Sequence, residues 1–328
     1  EVISDDLTRQ IDRNTLKVMG RVQSIDAVAK NGSTSPYGTI VAFSESPLDA
    51  NLLYVGTDDG LIQITENGGE SWTKIESFPD VPERTYVNYL LASQHDENVV
   101  YAAFNNHKNG DFKPYVFKST DKGRSWTNIS SNLPERGSSY AIAEDHEQAD
   151  LLFVGTEFGA FTTVDGGDYW KQLKAGLPTI AVRDIAIQER ENDLVLGTFG
   201  RGFYVLDDYS PLRQVDEDLL AEEAEIFPIK DGLIYIEAVP LGLRDKSFQG
   251  HSFYTAENPP VGATFTYFVK DDVKTLSDQR RAAEKEAIKE GEEIRYPTYD
   301  EWQAEQEEES PYLLFTVAIS ILGRSVMA

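Results

Sequence analysis

No cysteine occurs in the 328 residues, and there are only two methionines and four histidines. The first absence excludes disulfides and thiolate chemistry. It does not place the chain in the cytosol, because many bacterial secreted domains lack disulfides. No two histidines have metal-ligand spacing, and neither a Gly-rich phosphate loop nor a nucleophile elbow is present. Basic residues are scarce: 30 Lys and Arg stand against 56 Asp and Glu, for a formal net charge of −26 and a pI near 4.5. Such a surface repels phosphate backbones and disfavours anionic membranes, so no nucleic-acid partner is expected. The excess acid serves solubility; its clusters are also candidates to hold structural Ca²⁺, and no other cofactor is expected. No apolar run reaches the length of a membrane span. No signal peptide opens the sequence at Glu1, and no initiator Met stands there, so a fragment is expected. What is present, 40% hydrophobic residues, suffices for a packed core in one to three domains.

The chain is organised around a stretch that occurs three times. Thr65-Glu66-Asn67-Gly68-Gly69-Glu70-Ser71-Trp72, Ser119-Thr120-Asp121-Lys122-Gly123-Arg124-Ser125-Trp126 and Thr163-Val164-Asp165-Gly166-Gly167-Asp168-Tyr169-Trp170 share the pattern Ser/Thr-x-Asp/Asn-x-Gly-x-x-Trp. Asp or Asn followed two residues later by Gly is turn chemistry: the side chain bonds nearby backbone N–H groups, and Gly accepts a positive φ. A β-rich run enters each copy and another leaves it at Trp. Each copy therefore reads as a hairpin turn whose exit strand starts with a large aromatic. Asn67, Asp121 and Asp165, with Gly69, Gly123 and Gly167 and with Trp72, Trp126 and Trp170, are expected to be structural.

Around these turns the sequence repeats as units of four short strands, about 40–50 residues each, the blade length of a propeller. The strands expected in unit one are Gly38 to Phe43, Leu53 to Thr57, Leu61 to Ile64 and the exit at Trp72. Unit two has Tyr89 to Ala92, Val99 to Phe104 and Tyr115 to Phe117. Unit three has Tyr140 to Ala143, Leu152 to Thr156 and Ala160 to Thr163. Unit four has Val182 to Ile187, Leu194 to Thr198 and Gly202 to Leu206, without a final turn of this type. Glycine in Val55-Gly56-Thr57, Val154-Gly155-Thr156 and Leu196-Gly197-Thr198 predicts close backbone packing or a bulge. Glu1 to Leu7 matches Thr127 to Leu133, which predicts that residues 1–37 are the outer strand of a preceding blade plus a connection. Residues 38–208 are then propeller blades and 209–225 a linker. Over 226–328 strands are expected at Ile226 to Ile229, Leu233 to Ile236, Phe253 to Pro260, Ala263 to Val269 and Leu313 to Val317, with a charged helical insertion over 273–310. The whole predicts an all-β chain: a partial propeller followed by an incomplete β-sandwich.

The three turns and the blade spacing resemble the Asp-box (BNR) repeats of bacterial sortilin-like and glycosyl-hydrolase-like β-propeller proteins. Tyr54 to Leu61, Asp111 to Tyr115 and Gly197 to Asp208 look like the last blades of that group, and residues 253–317 like its Ig-like tail. The resemblance implies the C-terminal part of a larger propeller in an extracytoplasmic protein. It does not choose an activity, because sialidases, xyloglucan-type endoglucanases, photosystem assembly factors and sorting receptors share the architecture.

On such a fold the ligand-facing loops would carry Asp58, Asp59, Asn105, His107, Lys108, Asp111, Glu157, Phe158, Phe199 and Arg201, joined by Tyr86, Arg136, Tyr140, Arg183 and Asp184. A glycosidase needs two carboxyls, about 5 Å apart for retention or roughly 6.5–9.5 Å for inversion. Asp58, Asp59, Glu157 and Asp184 are the candidates, each with a plainer reading as a turn former or ion-pair member. The Phe/Tyr-Arg-Ile-Pro motif of sialidases is absent. His107, Lys108, Arg201, Tyr86, Tyr140 and Phe199 are the candidate ligand-binding residues; Arg201 sits between two glycines and is alternatively a partner of Asp207 or of an acid in the first blade. Two functions follow as expectations. One is a non-catalytic propeller binding a protein, peptide or glycan on its loop face; the other is a glycoside hydrolase.

Overall fold

The computed structural model describes residues 2–174, 176–236, 258, 260–271, 274–316, 318–321 and 324–327, the last two stretches as backbone. It divides into two units, residues 1–216 and 217–328.

The first unit opens with a small hairpin, β1 (Lys17–Val18) and β2 (Arg21–Val22), and then builds four antiparallel sheets in chain order. Sheet one is β3 (Ile40–Glu45), β4 (Leu53–Thr57), β5 (Ile62–Thr65) and β6 (Thr73–Ile75). Sheet two is β7 (Tyr86–Ala92), β8 (Val100–Asn105), β9 (Tyr115–Ser119) and β10 (Thr127–Asn128). Sheet three is β11 (Ser139–Glu144), β12 (Leu152–Thr156), β13 (Gly159–Thr163) and β14 (Lys171–Leu173). Sheet four has three strands, β15 (Val182–Gln188), β16 (Asp193–Thr198) and β17 (Phe203–Leu206). This is part of a β-propeller, with the strands named for units one to four over residues 38–206 in place. The central strands are buried on both faces, so they read as continuous apolar runs. The cores lie between sheets: Ala42, Tyr54 and Ile64 meet Leu90, Phe104 and Trp126, and Ala141 and Phe153 meet Val182, Ile185 and Leu196. Each fully buried aromatic contributes about 1.5–3 kcal/mol by leaving water.

The repeated turns share one hydrogen-bond pattern. The hydroxyl of Thr65, Ser119 or Thr163 donates to the side chain of Asn67, Asp121 or Asp165 and accepts the N–H of Gly69, Gly123 or Gly167. The same Asn or Asp oxygen accepts the N–H of Ser71, Ser125 or Tyr169, at 3.0, 2.8 and 3.0 Å. Gly123 and Gly167 have φ of +82° and +112°, and a Cβ there would strike Ile64 at 2.7 Å and Ile129 at 2.8 Å. The turn thus needs glycine for its backbone and for its approach to the sheet before it. Trp170 is buried and donates from Nε1 to Ile129 O at 2.7 Å. Trp72 makes the same bond to Ile3 O at 3.4 Å, so Ile3 stands where Ile129 stands two sheets later. Trp126 is buried too, yet its N–H has no partner among the described residues.

Three expectations change. Residues 2–12 form no strand. A strand needs a hydrogen-bonded neighbour, and this segment bonds instead to sheet one: Gln63 donates to Leu7 O, and Arg9 N–H donates to Asp59. Sheet four has no outer strand, because Asp208 turns the chain into a 3₁₀ helix, Ser210–Gln214, with proline in its first turn. Residues 209–214 are therefore no linker. Tyr209 is buried against Phe153, and Asp145 receives its hydroxyl together with two nitrogens of Arg213.

The second unit contains α1 (Glu217–Ala221), a short pair β18 (Ala224–Ile226) and β19 (Tyr267–Val269), α2 (Leu276–Glu290), α3 (Tyr299–Glu307), and a hairpin β20 (Ala318–Ile321) and β21 (Arg324–Met327). The charged insertion is helical as expected. Thr275 and Thr298 cap α2 and α3, and Arg280 on α2 bridges to Glu305 on α3. The expected strand at Leu233 to Ile236 is a single bridge from Leu233 to Gly262, and residues 313–316 are not in a strand. Both runs are largely exposed, so no packed face fixes them. Most of the strand expected from Phe253 to Pro260 lies outside the described residues.

Candidate functional site

In each of sheets one to four the first strand carries one extra residue, which breaks its register with the second. The skipped residues are Val41, Asn88, Tyr140 and Arg183. A bulge re-aims the side chain it adds, and here three consecutive bulges converge. Asn88 Nδ2 donates to Tyr140 O at 2.6 Å. The Arg183 guanidinium lies 3.7 Å from the centroid of the Tyr140 ring and 5.4 Å from that of Phe199. Tyr140 donates its hydroxyl to Glu157 at 2.5 Å, and Arg183 approaches the same carboxylate at 3.6 Å. Burial raises the Tyr140 phenol pKa, the bond to Glu157 raises it further, and Arg183 opposes both.

Tyr140, Glu157 and Arg183 line a cavity of about 440 Å³ together with His107, Phe112, Arg136 and Phe158. Arg136 lies over the Phe112 ring. His107 Nδ1 faces Asn105 Oδ1, a contact that orients the imidazole. Two guanidiniums, an imidazole and three aromatic rings therefore surround one carboxylate, in a chain whose net charge is −26. Guanidinium groups laid on rings keep their N–H edges free for an anion.

A second cleft, about 690 Å³, takes Tyr86, Lys108 and Asp58 with Tyr37, Glu83, Arg84, Asn105 and Asn106. Lys108 sits 5.0 Å from the centre of the Tyr86 ring. The residues His107–Asn109 form a short 3₁₀ turn between the clefts, with His107 lining the first cavity and Lys108 and Asn109 the second.

The candidate acids fare differently. Asp59 is fully buried; it accepts the Thr57 hydroxyl at 2.6 Å and the Arg9 N–H at 2.7 Å, so it holds the fold rather than a substrate. Asp58 accepts the N–H groups of Gly38 and Thr39 and ties the incoming strand to the turn. Asp184 is exposed, one residue past the bulge, and bonds the N–H of Ile185. Arg201 is exposed, flanked by Gly200 at φ +86° and Gly202 at φ +72°, and has neither the expected Asp207 partner nor any other ion pair among the described residues. Of the sequence-derived candidates, the first cavity gathers His107, Tyr140 and Glu157, and Phe199 touches it through Arg183. Tyr37, Glu83 and Arg84 went unnoticed in the sequence. Arg84 takes a left-handed φ of +63°, which nothing in Pro82-Glu83-Arg84 announces. Among the described residues no three acidic or histidine side chains group as a metal site. No helix there is long and apolar enough to cross a membrane.

No family model and no curated protein matches the chain. Among solved structures, an ancestral GH74 enzyme is 20% identical, with a TM-score of 0.41, over 49% of this chain and 22% of that one. YCF48 bound to D1 peptide is 17% identical, TM-score 0.40, over 52% of each chain. The β-propeller domain of Cps50 (Swd1) from Myceliophteria thermophila is 13% identical, TM-score 0.42, over 56% of this chain and 57% of that one. The chain thus spans less than two thirds of each of these proteins, and the likeness is one of fold.

Proposed function

We infer that this chain belongs to a non-catalytic, extracytoplasmic propeller that binds a protein, peptide or glycan across the face bearing Tyr140 and Arg183. One observation carries the reading: Glu157 is the one carboxylate among the residues lining the 440 Å³ cavity, and it is engaged by Tyr140 and Arg183. Glycoside hydrolysis requires two carboxyls facing one bond, one held protonated. The cavity instead offers cations and rings, which suits a ligand presenting a carboxylate beside a flat or apolar group. An acidic peptide segment is the ligand of that kind we favour.

Titration against an array of Asp- and Glu-rich peptides tests this. Arg183→Ala and Arg136→Ala should each weaken binding about 10–100-fold, the loss of a charge-assisted hydrogen bond worth about 1.5–3 kcal/mol. Incubation with polysaccharides and sialosides should release no reducing ends. Release that disappears in Glu157→Gln would instead make the chain a glycoside hydrolase with Glu157 as one of its carboxyls.

A further inference from the structure

The clefts on either side of the His107–Asn109 turn are built alike, one sheet apart. Each is bounded by loops that join the second and third strands of two consecutive sheets, and by the connection into the later sheet. The tripeptide Pro-Glu-Arg occurs in both connections, at 82–84 and 134–136. Both arginines stand three residues ahead of the residue that precedes a bulge, Val87 in sheet two and Ser139 in sheet three. Arg84 thus lines the cleft between sheets one and two as Arg136 lines the cavity between sheets two and three.

The loop from β8 to β9 is the wall the two clefts share. Its adjacent residues serve different sides, His107 the first cavity and Lys108 the second cleft. Side-chain bonds hold this ridge. Asn109 Nδ2 donates to the buried Asn106 at 2.7 Å, Asn106 Nδ2 donates to Asp111 at 3.0 Å, and the Tyr115 hydroxyl donates to the same Asp111 oxygen at 2.6 Å. The charges also repeat. Lys108 lies over Tyr86 as Arg136 lies over Phe112 and Arg183 over Tyr140. Lys17, Arg84 and Lys108 line the second cleft and make no ion pair among the described residues. The acids beside them are Glu83 and Asp58, and Asp58 is committed to the N–H groups of Gly38 and Thr39. Cations therefore outnumber carboxylates in both clefts, in a chain where 56 acids stand against 30 bases.

We propose, on the acidic-peptide reading of the first cavity, that the two clefts are consecutive subsites for one peptide. It crosses the ridge in extended form, with one acidic cluster at Arg136 and Arg183 and another at Lys17, Arg84 and Lys108. A helical turn with its side chains is about 10 Å across. An extended peptide covers that width in about three residues, at roughly 3.3 Å each. Joining the two contacts in one chain makes the second intramolecular, which raises affinity without any new kind of contact.

Isothermal titration calorimetry of the 328-residue chain tests this with three end-capped peptides. One is a run of three glutamates. The second joins two such runs through three glycines. The third has six consecutive glutamates followed by three glycines, so it has the charge of the second but cannot set three acids on each side of the ridge. The joined peptide should bind about 100-fold more tightly than the single run, one per chain, and more tightly than the third peptide. Arg84→Gln together with Lys108→Gln, both at exposed positions, should reduce the joined peptide to the affinity of the single run and leave the melting temperature unchanged. Adding Arg183→Ala to that pair should weaken the remaining binding further. Absence of all peptide binding to the wild type, or binding that Arg183→Ala leaves intact, overturns the reading of the first cavity and the spanning together. Arg183-dependent binding of the single run with no gain for the joined peptide, or with a gain that survives the paired substitutions, overturns the spanning alone. Equal affinity for the second and third peptides does the same, since charge and not spacing would then decide. A sulfated oligosaccharide bound through these residues, with no peptide bound, would make the occupant a glycan and overturns both.

Discussion

Trp72, Trp126 and Trp170 occupy equivalent places, but their polar ends do not. Trp170 donates to a carbonyl at 2.7 Å, whereas the buried Trp126 N–H is unpaired among the described residues. An unmet buried donor costs about 1–3 kcal/mol. Trp126→Phe should therefore cost distinctly less than Trp170→Phe, which forfeits a hydrogen bond as well as volume; urea midpoints of the two variants, at equal slope, check the order. Asp145 behaves in the opposite way. Its burial alone would raise the carboxyl pKa, but hydrogen bonds from Arg213 and Tyr209 and from the N–H groups of Glu147 and Gln148 outweigh that and hold it below the usual value. A depressed folded pKa gives stability that is complete above the unfolded value, near 3.9, and is lost as pH falls through the folded one. Asp145→Ala should cost about 1–3 kcal/mol at pH 7, because the buried Tyr209 hydroxyl loses its acceptor while Arg213 keeps Glu147 at 2.9 Å. Melting curves from pH 7 down to 3 should show that penalty shrinking in acid.

At the scale of the element, the strands were legible because buried central strands are continuous apolar runs of five or six residues between turn signals. The turns were legible because hydroxyl, Asp or Asn, and Gly at fixed offsets satisfy their own backbone. The bulges that place Asn88, Tyr140 and Arg183 on one site were not legible: a register shift is a property of two paired strands, and neither strand alone announces it. Glycine at the second-strand positions shows the same dependence on neighbours. Gly155→Ala should cost about 1–3 kcal/mol through overpacking against Val182, and Gly197→Ala less than that, although the local sequences are alike. Thermal denaturation of the two variants distinguishes them.

At the scale of the molecule, a net charge of −26 surrounds a cavity whose lining carries Arg136 and Arg183. Long-range repulsion between the protein and an acidic ligand opposes these local cations, so added salt acts in both directions: it screens the unfavourable field beyond about 10 Å and weakens the contact pairs less. Affinity for an acidic peptide should accordingly hold or rise between 0.01 and 0.15 M salt as the long-range field is screened. The second unit is organised differently. Its helices are stabilised by capping threonines and by ion pairs on partly exposed faces, and Arg280 with Glu305 and Glu284 supplies the cross-links that a buried core supplies in the sheets.

The amino-acid order alone determined the number and position of the blade strands, the three Trp-ended turns and the helical character of the charged insertion, because each depends on interactions within a few residues. Only the tertiary structure decided which candidate residues meet. Asp59 became a buried strut and Tyr209 a plug, while Arg183 of sheet four was drawn into one cavity with Tyr140 and Glu157 of sheet three. Those outcomes rest on contacts between residues tens of positions apart, whose geometry follows from sheet packing and bulge placement rather than from any local pattern.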